Sequence, residues 1–221
     1  MLINILGGDG GGKTTQVARL IRWVRERHDL PVDSVAKRDI FDTATYPECD
    51  FFGVPYEHVA HRCLPNMRGT ARAFWLYYMN AVLASEIEQR RDVVVFHDGY
   101  WHKHYATEAA MGLDPDWLLA MGSALPEPDL TIVFDIDPRE IVRRGHVHKP
   151  YESGCDFACS DASFIAQQDK VRFHLMRLAR ERGYRVVDAA QDEDALFATL
   201  CTIIAPLLET MVVRRGSGVV A

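Results

Sequence analysis

Residues Gly7-Gly8-Asp9-Gly10-Gly11-Gly12-Lys13-Thr14 satisfy the spacing G-x-x-x-x-G-K-[ST]. Glycines are needed there because a side chain would stop the backbone amides from turning inward around phosphate oxygens. The positive end of a following helix adds to that attraction. In this pattern Gly7, Gly8, Asp9, Gly10, Gly11 and Gly12 form the cradle, and Lys13 is the cation for the β- and γ-phosphates. Thr14 offers a hydroxyl to Mg²⁺, a hard ion that takes oxygen ligands, and Thr15 is the candidate contact for the α-phosphate. The chemistry implied is binding of a nucleoside triphosphate. A second carboxylate, Asp98, leaves the apolar run Asp92-Val-Val-Val-Phe96, where it could hold the metal's water shell, orient an acceptor hydroxyl, or simply cap the next element. His97 beside it is either a ligand contact or a hydrogen-bonded structural histidine.

Such groups need elements that bring them to one place. Leu2 to Leu6 is a short apolar run closed by glycine, which predicts a buried strand. Val17, Leu20, Ile21 and Val24 recur at helical spacing between Thr14 and His28. Further strands are predicted at Val32 to Lys37, Asp92 to Phe96, Leu130 to Phe134 and Tyr184 to Val187. Helices are predicted at Asn66 to Arg90, with Leu76, Met79, Leu83 and Ile87 on one stripe, and at Asp114 to Met121. Others follow Pro138, span Ala162 to Arg182, and close the chain from Asp192 to Met211. Ile40 to Tyr56 and Gly145 to Gly154 read as loops. The alternation predicts an α/β fold: a five-stranded parallel sheet with helices on both faces and ligands beyond the strands' carboxyl ends. One domain over 1–211 and a flexible tail over 212–221 are expected.

Asp9-Gly10-Gly11-Gly12-Lys13-Thr14-Thr15-Gln16, Asp98-Gly99-Tyr100 and Asp135-Ile136-Asp137-Pro138 carry a family resemblance. The chain resembles thymidylate kinase, within the nucleoside monophosphate kinases, over about residues 2 to 208. The resemblance implies a P-loop NTPase fold with a small lid at about 143–160, and transfer of the γ-phosphoryl group of ATP, with Mg²⁺, to a small-molecule acceptor. It implies Lys13, Asp98, Arg143 and Arg144 as catalytic groups, the last two as lid arginines, and Thr14 and Asp98 at the metal. It further implies Arg38 on the acceptor's phosphate, Asp9 on its sugar, Tyr77 (or Trp75 or Tyr78) on its base, and Tyr100 in the same site. A homodimer is an assembly it allows. The chain departs from the family's pattern at Gly99, where an arginine should follow the aspartate, and at Asn80 or Ala81, where a base-reading arginine should stand. Leu6-Gly7 also replaces the family's E-G. Each lost charge-assisted bond is worth ~1.5 to 3 kcal/mol, so the departures point to a different or less charged acceptor. A nucleoside or non-nucleotide kinase using Asp98 as base, and a non-catalytic ATP-binding regulator, are the competing readings. No guanine-reading Asn-Lys-x-Asp occurs, which argues against a GTPase.

The 25 basic and 31 acidic residues leave a net charge of −6, which argues against a nucleic-acid polymer or an anionic membrane as partner. No apolar run approaches the ~18 to 20 residues of a membrane span, and Met1 to Leu6 carries no signal-peptide pattern, so a cytoplasmic address is expected. Five cysteines, an odd and sparse set, read as reduced thiols. His146, His148, Cys155 and Cys159 bring zinc-type ligands into the expected lid, where the histidines could instead face phosphate. His97, His102 and His104 form a second, weaker metal pattern, but they flank Asp98 at the acceptor end, where hydrogen bonding to substrate is the simpler role.

Overall fold

In the computed structural model, which describes residues 1–90 and 92–216, β1 (Leu2–Gly7) is buried at every position. Successive side chains point to opposite faces of a strand, so Leu2 and Leu6 enter one core cluster and Ile3 and Ile5 the other. A strand buried on both sides belongs in the middle of a sheet. The order is β2 (Val32–Val35), β3 (Val94–Asp98), β1, β4 (Leu130–Asp135), β5 (Arg185–Asp188), and every pairing is parallel. The register sets Ile5 beside Asp98 and Gly7 beside Phe134, so the ends of β1, β3 and β4 share one edge.

α1 (Lys13–His28) buries Val17, Leu20 and Val24 against one face of the sheet. β2 leads into 3-10 turns at Asp39–Phe41 and Pro47–Phe52, then α2 (Tyr56–His58), a π turn (Val59–Cys63) and α3 (Leu64–Asn66), so the expected loop is largely helical. α4 (Gly69–Gln89) follows with Leu76, Met79, Leu83 and Ile87 buried as predicted. α5 (Tyr100–Ala110), which the sequence did not predict, buries every residue from Tyr100 to Ala109, including Lys103, His104 and Glu108. A helix enclosed all round carries no apolar stripe, which is why periodicity misses it. Gly99 opens it with φ 88°, a turn that glycine makes without strain.

α6 (Pro115–Gly122) precedes β4, and α7 (Pro138–Arg143) follows it, capped by the Asp137 carboxylate on the Arg139 amide at 2.8 Å. The segment expected to be a lid, 143–160, then packs closely, with Tyr151 and Ser153 buried in a 3-10 turn, and runs into α8 (Asp161–Arg182). α9 (Glu193–Gly216) continues past the expected end at Met211, and residues 217–221 of the expected tail lie outside the described residues. Against the sequence expectation, Glu193–Val213 is long and apolar enough to cross a membrane by length and composition. Its Leu196, Leu200, Ile204, Leu208 and Met211 recur at helical spacing and pack into the cluster under α1 and the sheet.

One buried ion pair crosses the far side of the sheet. The Arg72 guanidinium on α4 donates to both carboxylate oxygens of Glu108 on α5 (2.8 and 3.0 Å), and the Tyr151 hydroxyl of the lid turn donates to the same carboxylate at 2.9 Å. Burial and the Glu108 charge push that phenol well above its ordinary pKa, so it stays protonated and donates. Glu108→Ala leaves Arg72 buried and unpaired, and urea denaturation is expected to show a loss of about 3–5 kcal/mol. Pairing Glu108→Leu with Arg72→Met should recover most of it.

Candidate active site

The phosphate loop lies between the end of β1 and the first turn of α1, which no side chain caps, so the turn's amides are free to meet an anion. Gly10 has φ 76°, and a Cβ there would lie 2.6 Å from Ile141 and 2.8 Å from His146. Only glycine fits between the loop and the root of the lid. Lys13 folds back, donating from Nζ to the carbonyls of Gly7 (3.2 Å) and Gly8 (2.8 Å). Burial and the nearby Lys103 charge lower its pKa, against the pull of Asp98 and Asp9. Thr14 Oγ1 donates to Asp98 Oδ2 at 2.7 Å, joining the start of α1 to the end of β3.

Beside this junction opens a cleft of about 230 Å³. Lys37, Arg38, Lys103 and Lys149 join Lys13 in lining it, while Asp9, Glu57, Asp98 and Glu152 supply carboxylates. Tyr56, Asn80, His97 and His104 complete the wall. Asp9 is ion-paired with Lys103 and takes a longer contact from Gln168 Nε2 (3.4 Å). Burial would raise the Asp9 pKa, but the charges of Lys103, Lys13 and Lys37 hold it well below the usual carboxylate range. Burial would likewise discharge Lys103, yet Asp9 keeps its pKa raised. Lys37 has no such partner among the described residues, and burial together with the Lys103 charge brings it down to about 8.

The histidines at the cleft are neutral. Burial lowers His97 to about 4, against the Asp98 charge. Its Nδ1 accepts the Tyr100 amide at 3.0 Å, so the ring proton sits on Nε2, which has no partner among the described residues. His104 is pushed well below the ordinary value by burial, Lys37 and Lys103.

The sequence-predicted residues divide. Gly10, Asp9, Lys13, Thr14, Arg38 and Asp98 meet at the cleft, with Gly7, Gly8, Gly11 and Gly12 in the loop behind them and Thr15 exposed on the first turn of α1. Tyr77 does not reach it: its ring is in the core near Trp101, and its hydroxyl donates to the Leu118 carbonyl at 2.8 Å. Asn80 is the α4 residue on the cleft side. Tyr100 is fully buried in the core, and Trp75 and Tyr78 cluster with Phe52. Arg143 and Arg144 both bind Glu140 one turn back, and Arg144 also donates to the carbonyls of Ala189 (3.3 Å) and Ala190 (3.0 Å), so neither lines the cleft. The lid's contributions are Lys149 and Glu152.

The zinc pattern also disperses. His146 pairs with Glu152 and His148 with Asp161, both at 2.9 Å, while Cys155 lies on Arg72. Among the described residues no three metal-type ligands converge, and His97, His102 and His104 do not form such a group either. Lys37, Lys103 and Lys149 were not singled out from the sequence as acceptor-site residues, whereas His104 was expected at the acceptor end and does line the cleft. The available signal for Lys103 was its place one turn after Gly99, on the helix that periodicity missed.

A phosphate loop with its lysine, a hydroxyl–carboxylate pair at the edge of a parallel sheet and an adjoining charged cleft define an ATP-dependent phosphotransferase of the P-loop class. The chain is 30% identical over 212 residues to the thymidylate kinase of Jannaschia sp., covering 94% of this chain and 97% of that one. It is 25% identical over 211 residues to a probable thymidylate kinase of Pyrobaculum calidifontis (92% and 95%), and 24% identical over 219 residues to one of Thermococcus kodakarensis (94% and 98%). The chain belongs to the thymidylate kinase family. No family model matches it.

Because His97 stays neutral down to about pH 4, its ¹⁵N resonances are expected to hold the Nε2–H pattern, without titration, between pH 5.5 and 8. A titration near the ordinary histidine value would contradict the buried tautomer.

Proposed function

We infer that this enzyme transfers the γ-phosphoryl group of ATP, in the presence of Mg²⁺, to the phosphate of a nucleoside monophosphate, with thymidine monophosphate as the acceptor. The observation that carries the reading is the contact of Thr14 with Asp98, set between the phosphate loop and a cleft in which cations outnumber carboxylates by one. The names of the relatives support it on independent grounds.

The loop amides and Lys13 take the triphosphate, Lys13 exchanging the carbonyls of Gly7 and Gly8 for phosphate oxygens. The Thr14 hydroxyl and Asp98 carboxylate are hard oxygen donors at an exposed position, a set that fits Mg²⁺. Held by these two groups, Mg²⁺ would supply neutralisation of phosphate charge. Arg38 and the cleft lysines hold the acceptor phosphate in line. A monophosphate suits this cleft better than an uncharged hydroxyl for a second reason. Its second ionisation falls at about pH 6, so the attacking oxygen is already deprotonated at neutral pH and Asp98 need not serve as a base. The missing arginines therefore do not imply a less charged acceptor, because lysines from other elements occupy the cleft.

The decisive measurement is a mass-spectrometric screen of nucleosides, nucleoside monophosphates and hydroxylated metabolites with ATP and Mg²⁺. A phosphorylated product from thymidine monophosphate is expected, chelation of Mg²⁺ should abolish it, and Lys13→Ala should lower kcat by about 10²–10³. Product from a nucleoside alone, or none from any acceptor, would overturn the reading.

The pH dependence has a definite sign. Lys37 faces Lys103 on α5, Asp9 in the loop, Glu152 in the lid turn and Asp98 on β3, and loses its proton near pH 8. The protonated form binds phosphate, so acceptor KM should rise as pH passes upward through about 8. Lys37→Arg should flatten that limb.

A further inference from the structure

Three features of the cleft belong together. The first is an imbalance of partners. Among its four carboxylates, Asp98 accepts from Thr14, Glu152 is paired with His146, Glu57 lies 3.5 Å from His61, and Asp9 is paired with Lys103. Among the described residues Lys37 has no hydrogen-bonded carboxylate, and its ammonium lies 5.9 Å from the centre of the Tyr151 ring. Lys37 lies in the fields of Asp9, Glu152 and Asp98, and the nearby Lys103 ammonium lowers its tendency to stay charged, while Lys103 is kept charged chiefly by Asp9.

The second feature is the route by which Lys103 arrives. A Cβ built on Gly99 would lie 3.3 Å from Lys103 Cδ and 3.6 Å from its Cβ. The lysine stem therefore runs over the bare backbone of Gly99, toward the phosphate loop. The third is the identity of its present partner: Asp9 is a residue of that loop, and Lys13 lies within its field. The five cations that line the cleft face four carboxylates and so lack one anion, and a phosphate dianion has the charge and the multiple acceptors to supply it.

We propose that Lys103 and Lys37 form the acceptor-phosphate clamp of this enzyme, with Lys103 held on Asp9 and transferred to the acceptor's phosphate on binding. The proposal rests on the nucleoside monophosphate reading above. The transfer is an exchange of ion-pair partners. Lys103 keeps its proton, Asp9 remains ionised, and the carboxylate vacated by the ammonium becomes free to accept a hydroxyl of the incoming acceptor. Gly99 is part of the device, because a side chain there would press on the lysine stem.

The test compares wild type, Lys103→Met and Lys103→Arg by steady-state kinetics with thymidine monophosphate and ATP, and by calorimetric binding of thymidine monophosphate and thymidine. Lys103→Met keeps the stem and removes the charge. It should raise acceptor KM by roughly tenfold to a hundredfold while the KM for ATP changes less than about twofold. Binding of the uncharged nucleoside should be unaffected, and Lys103→Arg should restore most of the loss. Should Lys103→Met fail to fold because Asp9 is left unpaired, Asp9→Asn compared with Asp9→Asn plus Lys103→Met isolates the same difference without a buried lone carboxylate. An unchanged acceptor KM, or a nucleoside weakened as much as the monophosphate, would overturn the clamp while leaving the function intact. A wild-type enzyme that phosphorylates no nucleoside monophosphate would overturn both.

Discussion

A carboxylate with no access to water must find its partners within the protein, and the placement of Glu108 organises much of this molecule. Arg72 answers it from α4 and Tyr151 from the lid turn, so three elements distant in sequence are fixed around one charge. α5, which carries Glu108, is enclosed between α4 and α8 and has no solvent face on which to slide. From that fixed helix Lys103 and His104 reach the cleft, Asn80 reaches it from α4, and Lys149 and Glu152 flank the turn that holds Tyr151. The distances across the acceptor cleft are thus set by a polar contact buried behind it.

The sheet and the phosphate loop were legible in the sequence because each follows from a short-range rule. Apolar runs of strand length located β1, β3, β4 and β5, the segment Val32 to Lys37 located β2, and the glycine–lysine–threonine spacing located the loop. The acceptor side was less legible because it depends on helical phase and on competition between partners. On α4 the choice between Tyr77 and Asn80 is a matter of which direction a residue faces on the helix, and a turn of about 100° per residue separates core from cleft. Arg143 and Arg144 had the right charge for a lid, but Glu140 stands one turn away and takes both. α5 escaped prediction because its interior is built from lysine, histidine and glutamate satisfied by long-range contacts, which no local pattern records.

Neutral and charged groups are kept distinct along the cleft wall. His97 and His104 would each add a positive charge beside the lysines if they were free in water. Burial keeps both neutral, so the cleft's cationic character comes from side chains that end at its surface. The loop meanwhile satisfies its own lysine, since the carbonyls of Gly7 and Gly8 accept from Lys13 until a phosphate competes for it. The ammonium groups on both sides of the site, Lys13 and Lys103, are thereby held by the protein before any substrate arrives.

Gly10 is where the phosphate loop and the lid press against one another, with Ile141 and His146 filling the space that a side chain would need. Close-packed neighbours transmit displacement because neither can yield without opening a void. The absent methyl group therefore makes the two segments a single mechanical unit: a change of loop shape on receiving phosphate is passed to α7 and the base of the lid through van der Waals contact. Residue 10 is in this sense a bearing surface, whose tolerance is set by the side chains at 141 and 146 as much as by its own backbone.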